Sequence, residues 1–155
     1  MNKTLKKAIL NSALKWKNIC ESPIALDKAT KNCALCKLFD FICTNNDFGT
    51  CPLLEMENKR YPSCAGISYT MWCKYAKSTK YNHNYLFRGS LKTEKGKLSL
   101  FSAEKMFNKI NKLLPKKDRL SVKMPKNWKQ IRANIIGQWK RRKAAHESLR
   151  AWLIK

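Results

Sequence analysis

The sequence predicts a mainly α, irregular protein: a small loop-rich module framed by helices, with basic helices behind it. Three observations carry that expectation. Apolar residues recur at three- and four-residue steps near both ends of the chain, the period of a helix face. All seven cysteines lie between Cys20 and Cys73, amid turn compositions such as TNNDFGTCP and NKRYPSCAG. The cations crowd into the second half, where few acids answer them.

Residues 4–19 read as the first helix. Thr4 can cap it, Leu5, Ile9, Ala13 and Trp16 form one apolar stripe, and Pro23 stops its continuation. This helix is expected to lie across the cysteine module, because a small metal site rarely supplies a core alone. Residues 24–73 read as loop-rich. Residues 68–88 are dense in aromatics and lysine and receive no assignment. KLSLF, residues 97–101, reads as a short strand. Ser102 is then placed as the N-cap of a helix through Met106, Phe107, Ile110, Leu113 and Leu114, with Glu104 in its first turn and Pro115 ending it. The last helix begins at Asn127, which with Gln130 has capping-box spacing. Trp128, Ile131, Ile135 and Trp139 make its stripe, continued by Ala145, Leu149 and Trp152, and Gly137 marks a bend.

At 155 residues there is room for one ordinary domain or two small ones, and 44% hydrophobic content supports a modest core. The net charge is the outlying quantity: 33 basic residues oppose 10 acidic ones, leaving +23. Such an excess repels itself in the folded state, and a polyanionic partner is the simplest reason to keep it. Residues 1–73 carry a balance of +4 and residues 74–155 one of +19. The chain is therefore divided into a cysteine-rich zinc module with its N-terminal helix, 1–73, and a strongly basic, largely helical region, 74–155. No apolar run approaches the roughly 18 residues needed to span a bilayer, so no membrane partner is expected. The N-terminal stretch reads as an amphipathic helix, not a signal peptide. A reducing cytosol follows, where clustered cysteines favour metal over disulfides.

Cys33 and Cys36 form a C-x2-C knuckle, a spacing that lets two sulfurs meet one ion. Zn²⁺ takes four ligands tetrahedrally and stabilises their thiolates. The second pair must come from downstream. Cys51, stiffened by Pro52, and Cys64, in a turn between Pro62 and Gly66, are candidates, and Cys43 competes for the fourth place. Cys20 and Cys73 are assigned to the core. His83 and His146, the only histidines, are read as surface residues. An all-cysteine site is closed and structural, so the zinc is not catalytic.

A Trp-bearing N-terminal helix, CALC, CPL, a further cysteine and Y-x2-W (Tyr69, Trp72) together resemble small cysteine-rich proteins of tailed bacteriophages, over about residues 5–73. In that pattern the CPL cysteine is the second of a C-x2-C pair; here Phe48 breaks the pair. The resemblance implies a viral protein acting in the cytoplasm of a bacterial host.

The basic half supplies candidate phosphate contacts: Lys116, Lys117, Arg119, Lys129, Arg132, Lys140, Arg141, Arg142 and Lys143. The last four cover a full helical turn, and phosphates attract such a surface through ion pairing and counterion release. Tyr75, Tyr81, Tyr85 and Phe87 alternate with Lys74, Lys77, Lys80 and Arg88, a pattern that fits either a core or a platform for unpaired bases. Catalytic signatures are missing. Glycines are scattered, no Cys–His or Ser–His–Asp arrangement occurs, and Glu55 and Glu57 fall in turn-like sequence. The expected function is therefore non-enzymatic binding of nucleic acid, RNA ahead of DNA, by a zinc-containing phage-type protein. The alternatives are a phage inhibitor of a host defence or ribonucleoprotein complex, anti-CRISPR-like in action, and a docking component of a larger assembly.

Overall fold

The protein is mainly helical, and its longest early helix starts slightly ahead of expectation. Helix α1 spans Lys3–Glu21. Asn2, not Thr4, is the cap: its side-chain oxygen accepts from the Thr4 backbone N–H at 2.8 Å. The buried face comprises Ala8, Ile9, Ser12, Ala13, Trp16, Ile19 and Cys20, so the expected stripe holds except that Leu5 is only half-buried. Ser22 turns extended and Pro23 follows. The computed structural model describes residues 1–28, 31, 33–39, 51–55, 66–80 and 85–153, and these form two units, Met1–Lys123 and Met124–Lys155.

In the first unit, α1 is followed by α2 (Ala34–Leu38), α3 (Pro52–Glu55) and α4 (Gly66–Tyr75). Two short strands then pair antiparallel, β1 (Lys77–Ser78) with β2 (Leu86–Phe87), with Lys77 opposite Phe87. Helix α5 spans Glu94–Lys112. Helices α1 and α4 both pack on α5, and α2 packs on α1. Trp16 is the hub of this core. Its ring meets Trp72 edge-on at 5.4 Å and Tyr69 edge-on at 6.2 Å between centroids. Such pairs contribute about 0.5–1.5 kcal/mol each beyond area burial.

Asp27 ties the loop after α1 into this core. It is fully buried. Its carboxylate pairs with Lys15 Nζ at 2.6 Å and accepts from the Trp72 indole N–H at 2.8 Å. Its backbone exchanges both hydrogen bonds with Leu86, at 2.7 and 2.9 Å, adding an isolated bridge beside β2. A buried carboxylate survives only when paired and hydrogen-bonded, and both conditions are met.

KLSLF is helical, not a strand. It lies in the first turns of α5, where Leu100 and Phe101 join Ala103, Met106, Phe107 and Ile110 on the buried face. A five-residue stretch with apolar residues only at 98, 100 and 101 fits either period, and the flanking pattern decides. Thr93, not Ser102, caps the helix, accepting from the Gly96 N–H at 3.1 Å. Ser102 is buried mid-helix and donates back to the Leu98 carbonyl at 2.9 Å. Gly96 is needed where it stands: a Cβ there would lie 1.9 Å from the Ser90 carbonyl oxygen. Pro115 does follow the end of the helix, and a 3-10 turn, Lys116–Asp118, comes next. Asn111 clamps Leu120 through two 2.9 Å bonds, and the Lys123 N–H donates to Glu21 at 2.8 Å.

The second unit contains α6, Trp128–Leu153. The Asn127 carbonyl accepts from the Ile131 N–H at 3.1 Å, as expected of the residue before the helix. The Gln130 side chain donates to Asn134 at 3.0 Å and not back toward Asn127, so the expected capping box is not what starts this helix. The helix is continuous through Gly137.

Candidate thiol and basic sites

Cys33 sits at the N-cap position of α2, in an extended conformation, and Cys36 lies one turn on. C-x2-C spacing across a helix start brings the second thiol and its N–H toward the first sulfur. The neighbouring Cys36 thiol holds the Cys33 thiol down to about 6, against burial. The Lys15 ammonium, the Cys36 N–H and the Ser12 hydroxyl assist. Ser12 stands 3.9 Å from the Cys33 sulfur and accepts from the Leu35 N–H at 3.2 Å. Cys33 is therefore disposed to be a thiolate near neutral pH, the form that binds metal.

The remaining expected ligands are placed less completely. Cys51 is buried just before α3. Cys43 and Cys64 lie outside the described residues, as does His83. Among the described residues, no three His, Cys, Asp or Glu side chains stand grouped as a metal site. Two donors thus fit a zinc site by their chemistry and spacing. None of the five described cysteines is in a disulfide. Cys20 is buried as expected, and burial pushes its thiol up to about 12. Cys73 is exposed instead of buried, because α4 turns Trp72 inward and the next side chain falls about 100° round the helix.

The cationic candidates divide between the units. Lys116, Lys117 and Arg119 are exposed at the 3-10 turn. Arg119 is also structural. Its guanidinium donates to the Leu114 and Lys112 carbonyls at 3.1 and 3.3 Å, closing the end of α5. Lys129, Arg132, Lys140, Arg141, Arg142 and Lys143 are exposed on α6. Lys143 lies 3.7 Å from Glu147, four residues on, in a solvent-exposed pair of little strength. His146 is exposed.

The aromatic candidates divide as well. Tyr75 and Tyr85 are half-buried beside cations: Lys74 lies 5.6 Å from the first ring, and Lys28 and Lys31 lie 5.5 and 5.9 Å from the second. Phe87 is half-buried in β2, and Tyr81 lies outside the described residues. The sequence reading missed Ser12, Lys15 and Asp27, which support Cys33 and the core. The available signal was that Ser12 and Lys15 interrupt the apolar face of α1, where a polar residue needs a partner. Among the described residues no helix is long and apolar enough to cross a membrane. Comparisons with protein-family models, curated proteins and solved structures find no match to this chain.

Proposed function

We propose that this chain is a non-enzymatic nucleic-acid-binding protein of bacteriophage type, acting in the host cytoplasm, with RNA ahead of DNA as its ligand. One observation carries the reading. Lys140, Arg141, Arg142 and Lys143 are all exposed around one turn of α6, with Lys129 and Arg132 exposed upstream on the same helix. Glu147 is the one acidic residue in the sequence of α6, so the helix keeps a large cationic excess, and a phosphate backbone supplies the missing charge. Arginine adds bidentate contacts to phosphate oxygens. The half-buried rings of Tyr75 and Tyr85, each beside lysine, favour unpaired bases and hence RNA.

Zinc has a structural part in this reading. Cys33 and Cys36 supply two ligands, and the other two come from among Cys51, Cys64 and Cys43, the last competing for the fourth place. The ion would cross-link the segments between α1 and α4, where the described helices are short.

The test is binding of single-stranded RNA, single-stranded DNA and duplex DNA across a series of salt concentrations. Affinity should fall steeply with salt, and replacing residues 140–143 together by alanine should weaken it at least tenfold. A salt response no steeper than that of one or two released ions would leave the basic helix without a phosphate role. A host protein that stays bound after nuclease treatment would instead favour the inhibitor reading.

A further inference from the structure

An open groove of about 490 Å³ lies in the first unit, and its walls mix apolar and cationic residues. Pro23, Ile24, Phe87 and Leu91 are the apolar residues of its lining, and Lys77, Arg88 and Ser90 the polar ones. Ile24 is 76% exposed, a large aliphatic side chain left in water at the rim. The volume is within the usual range for small-molecule sites.

Arg88 is the anomaly in this wall. It is 4% exposed, and its Nε is buried without a hydrogen-bond partner. No carboxylate forms an ion pair with it among the described residues. Burial holds its guanidinium below the usual arginine value, yet the group stays charged. Cys20, whose charge would help it, keeps its own proton up to about 12 and so supplies no counter-charge. The surrounding backbone is nonetheless fixed. The Arg88 carbonyl accepts from the Ser99 hydroxyl at 2.8 Å, and the Gly89 N–H donates to the Pro23 carbonyl at 3.0 Å. A buried guanidinium whose Nε has no hydrogen-bond partner, with no carboxylate paired to it among the described residues, would be stabilised by an oxyanion.

We propose that this groove binds a small organic oxyanion, a phosphate monoester or a carboxylate carried on an apolar or aromatic body. Arg88 and Lys77 meet the oxyanion, and Ile24, Phe87 and Leu91 cover the body. Guanidinium geometry suits both head groups, which is why the two are named together. The inference depends neither on zinc nor on the basic turn of α6.

Titration of the full chain with phenyl phosphate, benzoate and inorganic phosphate, followed by amide NMR, tests it. Saturable shifts at Phe87, Gly89 and Leu91 are expected with phenyl phosphate or benzoate, and the tighter of the two identifies the head group. Inorganic phosphate should bind at least tenfold more weakly. Arg88→Met should raise the dissociation constant at least tenfold; should that variant not fold, Lys77→Glu decides, with an expected loss of at least fivefold. The proposal is overturned by the absence of saturable shifts in the groove at millimolar ligand. Equal binding of inorganic phosphate, shifts confined to residues 129–143, or undiminished binding in the deciding variant would overturn it too. Shifts confined to residues 129–143 would leave the phosphate role of α6 intact.

Discussion

Asp27 shows how much one side chain can organise. Its carboxylate joins α1 through Lys15 and α4 through Trp72, and its backbone joins β2 through Leu86. Replacing it by Ala strands a buried ammonium and an indole N–H, so unit stability should fall by about 3–5 kcal/mol in urea titration. The double variant Lys15→Met, Asp27→Leu should lose much less than the two single losses combined, because it removes both charges. Cys20 gives a pH-dependent counterpart. Its thiol is held protonated up to about 12 in the folded chain, against an ordinary value of 9.0. Its contribution is complete below pH 9 and is lost as pH rises from there toward 12. Between pH 8 and pH 10.5 the wild type should lose about 2 kcal/mol more stability than Cys20→Ala, as read from urea midpoints. A gap that stays constant with pH would exclude this assignment. At this scale the sequence was only partly legible. The burial of Trp16 follows from its stripe, but Asp27 stands among loop residues with no periodicity to mark it as buried. Its partner Trp72 is forty-five residues away.

Helices α5 and α6 illustrate what local pattern can and cannot decide. Met106, Phe107 and Ile110 identify a helix because their spacing continues for several turns. The start of that helix was misplaced by nine residues, from Thr93 to Ser102, because both residues are good caps by type. What decides between them is tertiary: Leu100 and Phe101 bury themselves on the helix side of the choice. Two substitutions test these elements in opposite directions. Gly96→Ala should destabilise strongly, because its new Cβ would collide with the Ser90 carbonyl, and circular dichroism melts should show it. Gly137→Ala should stabilise α6 by about 1 kcal/mol. The nearest atom to its new Cβ is Arg141 Nη1, an ordinary van der Waals contact at 3.6 Å. A melting temperature unchanged or lowered by Gly137→Ala would mean the helix is not continuous at that point.

For the molecule as a whole, charge and packing divide the chain at different places. Composition changes after Cys73, whereas the boundary between the two units falls in the chain between residues 123 and 124. The reason is that α5, which carries seven lysine and glutamate charges, also supplies the core surface for α1 and α4. A tally of charge follows the solvent side of a helix and cannot see its buried side. Two predictions belong here. Alanine at residues 140–143 should reduce the slope of log affinity on log salt for single strands by about 3, if each cation meets one phosphate. Elemental analysis should find about one zinc per chain under the tetrahedral-site reading, and a chelator or Cys33→Ser should loosen the region around α2. Full stability in either case would argue against the metal. The packing of α1 on α5 also bears on how the chain is made. Helix α1 is complete at Glu21, yet its cover is not finished until Lys112, about ninety residues later. At about 5–20 residues per second, ribosomes would hold the α5-facing side of α1 without that cover for several seconds or more. Such a nascent segment needs protection from sticking to its neighbours on a polysome, and chaperone demand should be highest before α5 emerges.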